Sequence, residues 1–189
     1  MEQTDTFAGE YLNRLTGVFG SIDTATITRA VDLVESAWQG GHQVFTLGNG
    51  GSALTAQHYI TDWNKSVFLA TGKSFLGRSL CDNIGLLMAY SNDISYADVF
   101  AEQLKSQMQP GDLVIAISGS GNSENVLRAV DYANRQGGVT LGLCGYDGGK
   151  LRQMAQHVVW APVNDMQLSE DIHFLFGHIV MQKLCKMKR

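Results

Sequence analysis

The chain has 189 residues, 44% hydrophobic and 17% charged, the balance of a globular protein long enough for one domain with a substantial core. A net charge of −4 argues against a nucleic-acid partner held by broad electrostatics. No run of about 18 apolar residues predicts a membrane span, and the opening MEQTDTFAGEYL has no apolar signal core.

Residues 4–20 and 24–39 predict two helices, with stripes at Tyr11, Leu12, Leu15 and Val18, then Ile27, Ala30, Val31, Val34 and Ala37. Two helices before the first strand exceed what that strand needs for cover, so residues 1–40 are candidates for packing on another subunit. Packing on their own domain is an equal alternative. Val44, Phe45 and Thr46 are β-branched or aromatic and, with Leu47, predict a short buried strand. Gly48-Asn49-Gly50-Gly51 then lets the backbone turn with its N–H groups uncovered. Ser52 is expected as the N-cap of a helix over 53–63. A strand, a glycine turn and a helix N-terminus together predict an anion site. On that helix His58 and Asp62 stand four apart and share a face.

Further on, 74–80 predicts a strand, 83–91 and 96–108 predict helices, and Pro110-Gly111-Asp112 stops the second. Leu113 to Ile117 is an uninterrupted apolar run, as in a strand buried on both faces. The loop Ser118-Gly119-Ser120-Gly121-Asn122-Ser123 leads into a helix over 124–136 and a strand over 139–144. A short helix over 148–156, a strand over 157–161 and a long helix over 167–187 complete the chain. Strands alternating with helices predict one doubly wound, flavodoxin-like α/β domain with a parallel five-stranded sheet. Cys81, Cys144 and Cys185 are widely spaced and read as buried thiols in a reducing, cytoplasmic compartment. The basic run over 183–189 reads as a solvated helix end.

Gly48-Asn49-Gly50-Gly51-Ser52-Ala53 fits the dinucleotide pattern G-x-G-x-x-G/A, but no Asp or Glu stands between Trp63 and Cys81 to hold a ribose. The second loop carries three hydroxyls and two glycines in six residues, and these can converge with backbone N–H groups on a phosphate. Its alternative is a plain Ser/Gly turn with Ser123 as cap. No Walker lysine pattern follows, which argues against nucleoside triphosphate hydrolysis.

LGNGGSALTAQH, AISGSGNSENV and SEDIHFLFGHIV resemble the successive motifs of the sugar-isomerase (SIS) domain family, most closely its sedoheptulose 7-phosphate isomerase branch. The resemblance covers nearly the whole chain. It implies a cytoplasmic homotetramer that converts sedoheptulose 7-phosphate to D-glycero-D-manno-heptose 7-phosphate for bacterial surface sugars, often with bound Zn²⁺. By position, it implies substrate contacts at Asn49, Gly50, Gly51, Ser52, Asn92 and Asp93, and a phosphate loop at Ser118, Gly119, Ser120 and Ser123. It implies metal-binding and acid–base positions at His58, Asp62, Glu170 and His178, with Asp62 and Glu170 also meeting substrate. Three residues depart from the family's usual pattern: Asp62 stands for Glu, Glu170 for Gln and Gly119 for a common Thr.

The residues agree with that class. Aldose–ketose isomerisation through an enediol needs a base near two carbons, a proton shuttle for two oxygens and a group that polarises the carbonyl. Asp62 suits the base and His178 the acid. Glu170 and His178, eight residues apart, share a helix face. Two nitrogens and two carboxylates at His58, Asp62, Glu170 and His178 suit Zn²⁺ or a similar divalent ion. His173 falls off that face and is expected to be structural, and His42 and His157 have no assigned role. Two alternatives stay open: isomerisation of a related ketose phosphate, and a non-catalytic phosphosugar-binding or regulatory SIS protein.

Overall fold

The computed structural model describes residues 6–187. The expected first turn at Thr4 and Asp5, and the last two residues of the basic tail, Lys188 and Arg189, lie outside them.

Helix α1 (Phe7–Ser21) is capped by Thr6, and α2 (Thr24–Gly40) by Asp23. Both pack on their own domain. Helix α2 buries Ala30, Val31, Val34, Ala37 and Trp38, while Val18 of α1 joins Ala161, Leu168 and Ile172 in a small second core. Phe7, Leu12 and Phe19 stay exposed on α1.

The sheet is built from β1 (Val44–Gly48), β2 (Gly77–Ser79), β3 (Leu113–Ser118), β4 (Val139–Cys144) and β5 (His157–Trp160). All neighbours are parallel, in the order β2-β1-β3-β4-β5. This is the flavodoxin-like order, in which the direction of strand addition reverses between β1 and β3. Strands β1 and β3 are buried at every residue, which explains why β3 reads as a continuous apolar run instead of an alternating one.

Helix α3 (Gly51–Asp62) follows β1 and is tied back to it by the Thr46 hydroxyl, which donates to the Ala56 carbonyl at 2.8 Å. The helix ends within a residue of the expected Trp63, but the helical run does not stop there. A π-helical turn, Trp63–Val67, leads into the short α4 (Phe68–Thr71). After β2 come α5 (Ile84–Asp93), a 3-10 turn at Tyr96–Asp98 and α6 (Val99–Gln107). Helix α7 (Glu124–Arg135) connects β3 to β4, α8 (Leu151–Met154) precedes β5, and α9 (Met166–Cys185) closes the chain.

Helices α3 and α9 lie side by side in the same direction. The Tyr59 hydroxyl donates to the His173 carbonyl, and Trp63 Nε1 donates to the Gly177 carbonyl at 3.0 Å. A side chain at Gly177 would enter the Tyr59 ring, so the close approach of the two helices requires glycine there. Cys81 and Cys144 are buried free thiols as expected, whereas Cys185 is only half-buried because it sits in the last turn of α9.

Candidate active site

The loops after β1 and β3 flank the point where strand order reverses, the place where open α/β sheets bind ligands. Together they line one cavity of about 320 Å³, formed by Asn49 to Ser52, Ile117 to Ser120 and Ser123, and closed by Met166 and Glu170 of α9. Gly50 turns the first loop with φ +54° and occupies the N-cap position of α3. This corrects the expected role of Ser52: the glycine turn starts the helix two residues early, and Ser52 is buried within it.

In the second loop the Gly121 N–H donates to Ser118 Oγ at 3.2 Å, and Ser118 Oγ lies 3.3 Å from Ser123 Oγ. Ser123 is the N-cap residue of α7, yet its side chain accepts no N–H from that helix. Its hydroxyl instead pairs with Ser118 Oγ on the cavity wall, which distinguishes the loop from a plain capped turn. Hydroxyls and the α7 N-terminus thus converge on one volume, an arrangement suited to a phosphate. A larger cavity of about 670 Å³ adjoins it, lined by Asn122, Tyr146, Asp147, Pro162 and Asn164, with Ser120 and Met166 on the border of both.

Further along the α3–α9 pair stands a second cluster. His58 Nε2 is 3.3 Å from Asp62 Oδ2 and 3.1 Å from His178 Nε2, and His178 Nε2 is 4.0 Å from Asp62 Oδ2. Side-chain exposures of 25–39% leave the cluster open on one side to a ligand. Phe174 supports it by stacking on His58 at 4.5 Å between ring centroids and meeting His178 edge-on at 4.8 Å. Two imidazole nitrogens and a carboxylate oxygen lie within 4.8 Å of one another. Nitrogen lone pairs this close need a proton or a cation between them, so the donor set fits a divalent metal.

The SIS domain profile matches residues 9–145. The chain belongs to the SIS-domain family. It is 32% identical to a phosphoheptose isomerase of Citrifermentans bemidjiense over 88% of this chain and 85% of the relative. It is 33% identical to one of Aliarcobacter butzleri over 82% of each. The solved phosphoheptose isomerase of Neisseria gonorrhoeae superposes with a TM-score of 0.87 at 25% identity, covering 95% of this chain and 97% of that one.

Within this SIS domain the expected site residues divide into three groups. Asn49, Gly50, Gly51, Ser52, Ser118, Gly119, Ser120, Ser123 and Glu170 share the cavity. His58, Asp62 and His178 form the triad. Asn92 and Asp93 end α5, bond to one another at 2.9 Å, and do not line that cavity. Glu170 is not with the three it was grouped with. Its carboxylate faces Gly51, because eight residues of helix separate it from His178 by about 12 Å along the axis. His173 is buried, as a structural residue should be. Phe174 was missed, although its four-residue offset from His178 puts both on one face. Met166, which overlies Gly119, carried no sequence signal of a site.

Proposed function

We propose that this protein is a sedoheptulose 7-phosphate isomerase that forms D-glycero-D-manno-heptose 7-phosphate in bacterial heptose and surface-polysaccharide synthesis. One observation supports the reading: the α3–α9 pair joins the Ser- and Gly-lined cavity at its start to the open His58–Asp62–His178 cluster further along. From Gly51 to His58 is about 10 Å of helix, the reach of an extended seven-carbon sugar phosphate.

Ser118, Ser120 and Ser123 hold the phosphate with the N-terminus of α7. Asn49, Gly50 and Gly51 donate to the sugar oxygens, and Glu170 accepts from its hydroxyls. Asp62 removes the C1 proton of the ketose and returns it to C2, while His178 moves the hydroxyl proton between O2 and O1. The enediol forms and collapses with no net change in atoms or electrons. His58, Asp62 and His178 would hold Zn²⁺ or a similar divalent ion, which when bound polarises the sugar carbonyl.

The assembly we propose is a homotetramer. Helix α5 buries none of its residues, and Ile84 and Met88 on it, with Leu54, Leu69 and Phe7 elsewhere, are exposed apolar side chains that a second copy would cover. Residues of a neighbour would then border each site. The buried free thiols Cys81 and Cys144 fit a reducing cytoplasm. A panel of ketose phosphates assayed for aldose formation tests the substrate assignment: sedoheptulose 7-phosphate should give the highest kcat/KM, and preference for another ketose would displace it.

A further inference from the structure

The cavity-lining residue Asn49 has its side-chain amide held by residues outside the cavity. Asn49 Nδ2 donates to Asn125 Oδ1 at 2.9 Å, and Asn125 Nδ2 donates back to Asn49 Oδ1 at 2.9 Å. The Tyr96 hydroxyl adds a second donor to Asn49 Oδ1 at 2.8 Å. The reciprocal pair spans the switch point of the sheet, joining the loop after β1 to the first turn of α7. Asn125 is buried, so its amide cannot trade these partners for water.

A reciprocal amide pair could in principle be flipped at both ends and keep its two bonds. The backbone removes that freedom here. Asn125 Oδ1 also accepts the Val126 N–H at 3.0 Å, and a backbone N–H can only donate. With Asn125 Oδ1 fixed as acceptor, Asn125 Nδ2 must donate to Asn49, and Asn49 must turn its oxygen toward Asn125 and Tyr96. Both lone pairs of Asn49 Oδ1 are then used. What Asn49 has left is its second Nδ2–H, a donor and not an acceptor.

We propose that Asn125 is a positioning residue for the reaction: through the Val126 N–H it sets the polarity of the Asn49 amide, so that the sugar-phosphate cavity meets an N–H donor. The ligand group this selects is a ground-state sugar or phosphate oxygen that accepts, over a hydroxyl that must donate. Tyr96 reinforces the arrangement but cannot impose it, because a phenol hydroxyl donates or accepts equally well. The proposal rests on the sugar-phosphate reading of the cavity.

The test has two arms. In kinetics, Asn125→Ala should raise KM for sedoheptulose 7-phosphate about tenfold or more with a smaller change in kcat, while Tyr96→Phe should change KM by no more than about threefold. An unchanged KM in Asn125→Ala, a loss of thermal stability alone, or an equal effect of Tyr96→Phe would overturn the proposal. The second arm uses ligand-free wild-type protein labelled with ¹⁵N. One Asn49 side-chain proton should be protected from solvent exchange and the other should not, with the pair held from rotating. Two freely exchanging, rotating protons would overturn the proposal. This arm decides if Asn125→Ala does not fold. It also separates the two ideas: wild-type protein inert toward every ketose phosphate would remove the isomerase reading, while the amide pattern would still report on Asn125.

Discussion

Asp62 Oδ2 faces His178 Nε2 across two helices at 4.0 Å, with His58 Nε2 between them at 3.3 Å from the carboxylate and 3.1 Å from the second imidazole. The i, i+4 spacing on α3 supplies half of this arrangement, and the parallel docking of α9 supplies the rest. Glu170 stands on the same helix as His178 but lines the cavity at the helix start.

That division predicts the metal content of variants. Protein purified without chelator should carry Zn²⁺ or a related ion by elemental analysis. His58→Ala, Asp62→Ala and His178→Ala should each lose it, because three donors leave none to spare. Glu170→Ala should keep it and raise KM instead. Equal metal loss in Glu170→Ala would place that carboxylate in the metal shell.

Ser123→Ala and Ser118→Ala remove hydroxyls that face one another in the loop. A hydrogen bond to a charged group is worth about 1.5–3 kcal/mol, which corresponds to roughly a tenfold to hundredfold rise in KM. Initial rates against substrate concentration read it, and kcat should move less. An unchanged KM in both variants would remove the loop from the phosphate site.

Gly177→Ala would drive a methyl group into the Tyr59 ring. Both residues are in the packed α3–α9 seam, where overpacking costs about 1–3 kcal/mol. The helices must separate, and the triad straddles them. Denaturant unfolding should show the lost stability, and kcat should fall further than stability explains. A variant with native stability and native kcat would show that the seam does not set the triad's geometry.

His173 is buried at 1% exposure, on α9 beside the end of β4. Burial pushes its pKa down from 6.5 to about 4. The folded chain therefore keeps the ring neutral at pH values where the unfolded chain has bound a proton. Stability is full above about pH 6.5 and falls as pH drops toward 4, by up to about 3 kcal/mol from this group. Urea midpoints across that range should fall less steeply in His173→Leu than in wild type. Parallel curves would show that His173 contributes nothing to the acid limb.

Much of this was legible in local pattern. The apolar run of β3 pointed to the parallel sheet, because a strand buried on both faces cannot alternate, and the Ser-rich loop after it pointed to the cavity it lines. The His58–Asp62 spacing gave one wall of the triad. The N-cap did not follow from residue preference: Ser52 is a better cap by type, but Gly50, with positive φ, begins the helix before it. Shared helix face was also an incomplete guide for Glu170, since angular position says nothing about distance along the axis. The π turn after Asp62 had no signal in the periodicity. The Asn49–Asn125 pair joins residues 76 positions apart, and only the sheet's switch point brings them together.

The most direct measurement is NMR of sedoheptulose 7-phosphate incubated with the protein, following the anomeric proton of the aldose product, beside the same reaction with Asp62→Asn. Wild type should convert ketose to D-glycero-D-manno-heptose 7-phosphate until equilibrium, and Asp62→Asn should do so about 10²–10⁴-fold more slowly with substrate still bound. Unchanged ketose with wild-type enzyme, with and without added Zn²⁺, or full turnover by Asp62→Asn, would contradict the account.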